Sequence, residues 1–320
     1  MSFPFEYDHG APLAFGGALP DARGFDDSRV VILPVPVDRT TSYVGGTRNG
    51  PREILQASSH MELWDEEVGV DVHRAGIFTL PEMELPFGEM APLLDEVKRV
   101  ASEIFRRDKF LVALGGEHSI TPPLVAAAAA RAPDLSVLQI DAHADLRDSY
   151  MGTPHNHACA MRRTLEFAPV TQVGIRSMSR EEADAAARLA TTIFYDTSMR
   201  RDPRWIDAVV DTLREAVYIT IDVDGLDPGI MPATGTPEPG GLSWYETLAL
   251  LRTVIERRRV VGCDIVELSP LPGIIAPNFL CAKLVYKILT YRFGLGSDRG
   301  QTGVRPAVTS GVRPGSGPAG

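Results

Sequence analysis

Residues 135–145 read Leu-Ser-Val-Leu-Gln-Ile-Asp-Ala-His-Ala-Asp, an apolar run that passes directly into three potential metal ligands. Side chains two residues apart on an extended strand point to the same face, so Asp141, His143 and Asp145 can converge where the strand ends. Open α/β sheets place their ligand crevice at the carboxyl ends of the strands. This stretch therefore predicts an α/β fold in which a buried strand delivers two carboxylates and one imidazole to a site.

The same arrangement of an apolar run followed by polar ligands occurs twice more. Tyr218–Ile221 precedes Asp-Val-Asp-Gly-Leu-Asp-Pro at residues 222–228, and Phe110–Leu114 precedes Gly-Gly-Glu-His at residues 115–118. Taken singly, His118 could open a helix, and the aspartates of residues 222–228 could cap a turn, which is the role expected of Asp227. Together, four aspartates and two histidines at three strand ends would repel one another without a cation. The sequence therefore predicts a metal site.

The number and type of the ligands indicate two divalent ions. The four negative charges of Asp141, Asp145, Asp222 and Asp224 balance the four positive charges of two such ions. Oxygen ligands with a little imidazole suit Mn²⁺ better than Zn²⁺, which favours more His or Cys. Two ions held by shared carboxylates can lower the pKa of a bridging water towards ~7. The predicted site is therefore hydrolytic.

Along the whole chain, short apolar runs alternate with helical patterns, which is typical of a largely parallel sheet covered on both faces. The predicted strands are Val30–Val35, Val72–Phe78, Phe110–Leu114, Val137–Ile140, Val170–Ile175, Thr192–Tyr195, Val217–Ile221 and Val260–Val266. The predicted helices include Met90–Arg107, Pro122–Arg131, Arg180–Leu189, Pro203–Glu215, Trp244–Arg257 and a long amphipathic helix over Ala276–Tyr291. We expect a single three-layer α/β/α domain over residues 29–293, with a mostly parallel sheet of about eight strands. Residues 1–28 are expected to form an N-terminal arm, and residues 294–320, rich in Gly, Pro and Ser, a flexible tail.

Composition and charge argue against several classes of protein. The net charge of -10 and the sequence pI near 5.2 provide no basic patch for a nucleic acid. The three cysteines, Cys159, Cys263 and Cys281, are too few and too dispersed for a disulfide framework, which fits a reducing compartment. The N-terminus lacks the pattern of a signal peptide, and no segment approaches ~18 uninterrupted apolar residues. We therefore expect a cytoplasmic protein without a membrane span.

Four motifs, in this order, resemble the ureohydrolase family, which includes arginase and agmatinase. They are Gly-Gly-Glu-His-Ser at residues 115–119, Asp-Ala-His-Ala-Asp at 141–145, Asp-Val-Asp-Gly-Leu-Asp-Pro at 222–228 and Ala-Thr-Gly-Thr-Pro-Glu-Pro-Gly-Gly-Leu at 233–242. The likeness extends from about Gly46 to the final helix. It implies a three-layer fold, a binuclear manganese site and hydrolysis of a guanidino group to urea and an amine.

The resemblance also implies a role for each residue of the site. One ion would be held by His118, Asp141, Asp145 and Asp222, and the other by His143, Asp141, Asp222 and Asp224. Glu267 would bind the guanidinium, because a carboxylate at the end of a strand can accept two parallel N–H bonds from that planar group. The alternative is that Glu267 has only a structural role and caps the end of the strand. His157 would transfer a proton to the leaving amine and is preferred to its neighbour His155. The alternative for His157 is a loop histidine that packs on the next helix.

The choice of substrate depends on residues that would contact the far end of the molecule. Arg147 stands where arginases typically carry an asparagine, and Gly174–Ser179 lacks the aspartate that they place after Gly-Leu-Arg. The chain is more similar to agmatinases, so we expect hydrolysis of agmatine to putrescine and urea. If Arg147 or Arg163 faced the pocket, 4-guanidinobutyrate would be an alternative, as would arginine. A metal-stabilised regulatory relative is the non-enzymatic alternative, and the family implies a homo-oligomer, either a trimer or a hexamer.

Overall fold

The computed structural model describes residues 13–19, 21–85 and 88–295, and the strands within them form one parallel sheet in the order β2-β1-β3-β8-β7-β4-β5-β6. The strands are β1 (Val30–Val35), β2 (Ile77–Thr79), β3 (Phe110–Gly115), β4 (Leu135–Ile140), β5 (Val170–Ile175), β6 (Thr191–Tyr195), β7 (Ala216–Asp222) and β8 (Arg259–Val266). The helices are α1 (Gly50–Ser58), α2 (Met90–Arg106), α3 (Thr121–Ala129), α4 (Ala160–Thr164), α5 (Arg180–Ala186), α6 (Asp196–Met199), α7 (Trp205–Thr212), α8 (Trp244–Arg257) and α9 (Ala276–Gly294). No helix in these ranges is long and apolar enough to cross a membrane.

Two apolar cores lie on the two faces of the sheet. One core joins the sheet to α1, α7, α8 and α9, and the other joins it to α2, α3 and α4. Successive strand residues alternate between the two cores, as Val30 and Val31 do in β1. The central strands are therefore apolar on both faces, and the predicted three-layer α/β/α fold with about eight mostly parallel strands is confirmed.

The strand order explains where the site lies. Strands β3, β8, β7 and β4 are consecutive neighbours in the centre of the sheet, although they are far apart in sequence. All are parallel, so their carboxyl ends open at the same edge. The polar segments that follow these four strands are thereby brought side by side.

Two local predictions differ in kind from the structure. The strand predicted over Val72–Phe78 is wrong in its first half, because residues 72–75 form a 3-10 turn and Gly76 has a φ of 82° that interrupts the extended backbone. Helix α9 is not amphipathic, since residues 284–291 are all buried where the helix packs beside the sheet, α1 and α8. Helices α1, α4 and α6 were not among the predicted helices. The proposed division into arm, domain and tail stays a prediction, and residues 1–12 and 296–320 lie outside the described residues.

Candidate metal centre and catalytic site

His118 faces three carboxylates at the carboxyl edge of the sheet. Its Nδ1 atom lies 3.2 Å from Asp141 Oδ2, 3.1 Å from Asp145 Oδ2 and 3.3 Å from Asp222 Oδ2. The ring is fully buried, and yet Nδ1 makes no hydrogen bond. A buried polar atom without a partner costs free energy, and this one points at three oxygens that a cation would share with it. These four side chains have the chemistry and the arrangement of a cation site.

His143 faces a second group of carboxylates. Its Nδ1 lies 2.9 Å from Asp224 Oδ2 and 3.7 Å from Asp141 Oδ1. Asp141, His143 and Asp224 each offer one ligand atom, all within 4.8 Å of one another, and His118, Asp141 and Asp145 do the same. Asp141 belongs to both groups. Asp222 adjoins the first group through His118, so the structure brings the six predicted ligands into two adjoining groups that could each hold an ion.

Short turns after β4 and β7 fix these carboxylates. The backbone N–H of His143 donates to Asp141 Oδ1 at 2.6 Å, and that of Asp224 donates to Asp222 Oδ1 at 3.0 Å. Asp145 and Glu267 have positive φ angles of 51° and 65°. Non-glycine residues seldom adopt this left-handed conformation, which costs roughly 1–3 kcal/mol and concentrates at functional sites. Both residues with this strained backbone are among the site residues predicted from the sequence.

The electrostatics of the group favour a bound cation. Burial, with repulsion from Asp141, raises the pKa of Asp145 to about 6. Burial and the neighbouring carboxylates likewise raise the pKa of Asp222 well above its usual value and raise that of Asp224. For Asp141, burial acts in the same direction, but the proximity of the His118 and His143 rings outweighs it and lowers its pKa. A divalent cation would remove the repulsion that opposes ionisation of these carboxylates.

Glu267 and His157 lie together beside these groups. Glu267 Oε1 accepts a hydrogen bond from the His118 backbone N–H at 2.7 Å and lies 3.4 Å from His157 Nδ1. Burial lowers the pKa of His157, but the hydrogen bond with Glu267 outweighs burial and raises that pKa to about 9. The other ring nitrogen, Nε2, lies 3.3 Å from the Ser42 hydroxyl. His155 lies in the preceding turn, where its backbone N–H donates to Thr153.

Glu117 positions the loop that carries these contacts. Its fully buried carboxylate accepts hydrogen bonds from the backbone N–H groups of Arg39 and Thr40 at 2.6 and 2.7 Å, and from the Thr40 and Ser119 hydroxyls at 2.8 and 2.7 Å. The Thr40 hydroxyl in turn accepts from the His157 backbone N–H at 2.9 Å. The motif also needs Gly116, because a Cβ there would overlap the carbonyl oxygen of Val37. The Gly-Gly-Glu-His motif is therefore as much a loop anchor as a ligand source.

Sequence reasoning did not select four polar residues that support the site. Glu117 is one, and Gln139, Thr220 and Asp264 are buried polar residues within strands β4, β7 and β8. Gln139 donates from Nε2 to Asp141 Oδ2 at 2.6 Å, so it orients a carboxylate that both groups share. A polar side chain inside an otherwise apolar strand was the available signal.

The two arginines that bear on substrate choice are both paired with carboxylates. Arg163 lies 2.6 Å from Asp148 and 3.3 Å from Glu166. Arg147 lies 3.8 Å from Glu182, and its guanidinium stacks on Tyr150 at 4.6 Å from the ring centre. These carboxylates neutralise the positive charge that would be needed to bind the carboxylate of a substrate such as 4-guanidinobutyrate. They support the interpretation of both arginines as structural surface charges.

Comparison with known proteins agrees with this geometry. Residues 28–290 match the model of the arginase family. An N(1)-aminopropylagmatine ureohydrolase from Synechocystis is 40% identical over 275 residues, which cover 83% of this chain and 90% of the relative, and one from Thermus thermophilus is 38% identical over 82% and 89%. An agmatinase from Bacillus cereus is 34% identical over 77% and 85%.

The fold and the family follow from the same comparisons. The crystal structure of an agmatine ureohydrolase from Thermoplasma volcanium superposes with a TM-score of 0.81 at 34% identity, over 89% of this chain and 95% of the other. An arginase from Bacillus caldovelox, 21% identical over 82% of this chain and 98% of its own, shares the fold with a TM-score of 0.71. The chain belongs to the arginase family.

Proposed function

We propose that this arginase-family ureohydrolase acts on the guanidino group of a linear alkylamine, with N(1)-aminopropylagmatine as substrate and agmatine as the second candidate. One observation carries the proposal: four neighbouring strands bring two groups of potential metal ligands together with Glu267 and His157. The two candidates come from relatives, since three relatives 38–40% identical are named for the first compound, and agmatinases 34% identical for the second. Water and the guanidino compound would yield urea and the free amine.

The residues fit two divalent cations. His118, Asp141, Asp145 and Asp222 would hold one, and His143, Asp141, Asp222 and Asp224 the other. The unpartnered Nδ1 of His118 and the raised pKa values of three carboxylates support this assignment. Six oxygen or nitrogen donors dominated by carboxylates favour Mn²⁺. When bound, such a pair of ions supplies a water nucleophile that ionises near neutral pH.

The side chains of this protein would orient the substrate and move a proton. Glu267, held by the His118 backbone N–H, would accept parallel N–H bonds from the guanidinium and fix its plane. His157, whose pKa is raised by its hydrogen bond with Glu267, would hold a proton and deliver it to the departing amine. Ser42 at Nε2 and Glu267 at Nδ1 keep the ring in one orientation.

Glu238 is the residue that we assign to the far amine of the substrate. Side-chain exposure rises outward from 2% for Asp224 to 26% for His143 and 37% for Glu238, and His143 Nε2 lies 4.0 Å from Glu238 Oε1. This order defines a path from the buried carboxylates to solvent. A substrate whose guanidinium is buried would extend an ammonium group along the path, and a half-exposed carboxylate there attracts it.

Urea release by the Mn²⁺-loaded protein tests the proposal. N(1)-aminopropylagmatine, agmatine, arginine and 4-guanidinobutyrate would be offered separately. The highest kcat/KM is expected for N(1)-aminopropylagmatine, followed by agmatine. If 4-guanidinobutyrate or arginine were the best substrate, the assignment of Glu238 to a far amine of the substrate would be wrong. The proposed hydrolysis of the guanidino group would still stand. If urea were released from none of the four, the proposed activity itself would be refuted.

The homo-oligomer implied by the family stays a prediction. Exposed apolar side chains, among them Tyr245 and Ile275 with 80% and 76% exposure, line a groove between α8 and α9. Light scattering coupled to size exclusion would distinguish a monomer from the expected trimer or hexamer.

A further inference from the structure

His118 makes a second contact, on the side of its ring that faces away from the carboxylates. Its Nε2 atom lies 2.9 Å from the Thr220 hydroxyl, which donates a hydrogen bond to Asp264 Oδ1 at 2.6 Å. The Thr121 hydroxyl donates to the other oxygen, Oδ2, at 3.1 Å. All four residues are fully buried, with 0% exposure. They form a continuous chain of contacts from the interior of β8 to the metal-facing histidine.

Asp264 is, like Glu117, a fully buried carboxylate of this region that neither contacts the proposed ions nor takes part in the proposed chemistry. It lies in the middle of β8, between β3 and β7, where an apolar residue would be expected in a strand covered on both faces. Burying a carboxylate is costly unless hydrogen bonds compensate. Two threonine hydroxyls supply those bonds, and one of them connects Asp264 to His118. The hydrogen-bonded connection to His118 explains why a carboxylate occupies this position in β8.

We infer that Asp264, acting through Thr220, fixes the tautomer of His118 that leaves Nδ1 free to bind a cation. A hydroxyl carries a single hydrogen, and that of Thr220 is donated to Asp264. Thr220 Oγ1 can therefore only accept from His118, so the proton of the neutral ring is on Nε2. The Nδ1 lone pair then points at Asp141, Asp145 and Asp222, which agrees with its lack of a hydrogen bond. Thr220 and Asp264 are positioning residues, since neither contacts the proposed ions.

The same chain would orient the ring and increase its basicity. Histidines that bind metals commonly donate their other N–H to a carboxylate or a carbonyl, and loss of that partner costs about 10–100-fold in metal affinity. Here the partner is a threonine backed by a buried carboxylate. His143 has a different environment, since its Nε2 lies 4.0 Å from the half-exposed Glu238. The inference concerns only the ion assigned to His118, and it rests on the metal role proposed for that residue.

The test compares three variants of the two threonines by Mn²⁺ calorimetry on metal-free protein. Thr220→Val keeps the shape of the side chain but removes its hydroxyl, and we expect one of the two Mn²⁺ binding events to weaken 10–100-fold. Thr220→Ser keeps the hydroxyl and is expected to bind within threefold of wild type. Thr121→Val removes the other donor to Asp264 and a 3.2 Å contact with the Thr220 hydroxyl, but leaves the contact between Thr220 and His118. It is the matched control, also expected within threefold.

A second measurement determines the tautomer of His118 directly. In metal-free protein labelled with ¹⁵N-histidine, at a pH above the raised pKa of His118 so that its ring is neutral, the ring is expected to carry its proton on Nε2, and Asp264→Asn is expected to shift population towards Nδ1. An asparagine amide can donate to Thr220, whose hydroxyl can then donate to His118 Nε2. Thermal unfolding of each metal-free variant separates loss of affinity from loss of fold.

Each outcome decides between the inference and its alternatives. Wild-type Mn²⁺ affinity in Thr220→Val would overturn the inference, as would equal losses in Thr220→Val and Thr121→Val, which would mean that both threonines act only by packing around Asp264. An unchanged tautomer in Asp264→Asn would also overturn it. If the wild-type protein bound no Mn²⁺, the proposed metal site would fail, which is a distinguishable result.

Discussion

Replacing Glu238 with Gln removes one negative charge at the proposed path to solvent while keeping the size of the side chain. Two unit charges 4 Å apart attract each other by ~1 kcal/mol in water and by ~4 kcal/mol at an effective dielectric constant of ~20. Glu238 is 37% exposed, so the lower part of this range applies. A loss of about 1–2 kcal/mol corresponds to a decrease of about 5–30-fold in kcat/KM for a substrate with a far ammonium group.

The assay compares substrates that differ only at the far end. Agmatine and N(1)-aminopropylagmatine are expected to lose 5–30-fold in kcat/KM with the Glu238→Gln variant, mostly through KM. N-butylguanidine, which has the same four-carbon chain without the amine, is expected to change less than twofold, and 4-guanidinobutyrate to improve. The loss should decrease in ~1 M salt, because salt screens a half-exposed charge. Glu215→Gln is the matched control, since Glu215 is exposed at the opposite edge of the sheet, just before β7.

One result would refute this reasoning. Glu238 lies 4.0 Å from His143 Nε2, so it could instead support His143 as a metal ligand. In that case Glu238→Gln would lower kcat equally for all substrates, including N-butylguanidine, and would weaken Mn²⁺ binding. A uniform loss of this kind would assign Glu238 to the metal centre and leave the far amine without a binding residue.

Three further predictions concern the buried part of the site. Glu267→Gln is expected to lower kcat/KM at least ~100-fold by removing the charge-assisted bonds to the guanidinium, with Mn²⁺ stoichiometry unchanged by calorimetry. Removal of metal with a chelator is expected to lower Tm more at pH 8 than at pH 5.5. The pKa of Asp145 is raised to about 6, and those of Asp222 and Asp224 are also raised, so these carboxyls regain protons in the native state as pH falls, and their mutual repulsion decreases. In metal-free protein, the stability that the His157–Glu267 pair contributes is complete below pH 6.5 and is lost as pH rises through about 9, so the decrease in Tm from pH 7 to 10 should be smaller in His157→Gln.

The outline of the fold could be predicted because its signals are local. Each of β1 and β3 is an uninterrupted or nearly uninterrupted apolar run, and burial of both faces of a parallel sheet produces that pattern. Local signals failed where tertiary packing decided the outcome. In α9, eight consecutive buried residues include Lys287, whose amine lies 2.8 Å from Asp65, so helical periodicity gave no indication of a buried helix.

The candidate ligands could be predicted for the same reason, since each follows its own strand within a few residues. What the sequence does not contain is the order β3-β8-β7-β4, which makes these strand ends neighbours. Supporting residues depend entirely on that order. Thr220 and Asp264 are 44 residues apart in sequence and meet only because β7 pairs with β8, and His118 reaches Thr220 across the interposed β8 strand.

A general inference follows for polar residues inside buried strands of this sheet. Gln139, Thr220 and Asp264 each interrupt an apolar run, and each contacts a candidate ligand directly or through one hydroxyl. An unpaired polar group in such a strand would cost about 1–3 kcal/mol, so its presence requires a partner. In a parallel sheet, the partner of a residue near the carboxyl end of a central strand lies beside the site itself. A lone polar residue in the last half of a central strand therefore predicts a residue that supports the site, even when its partner cannot be identified from the sequence.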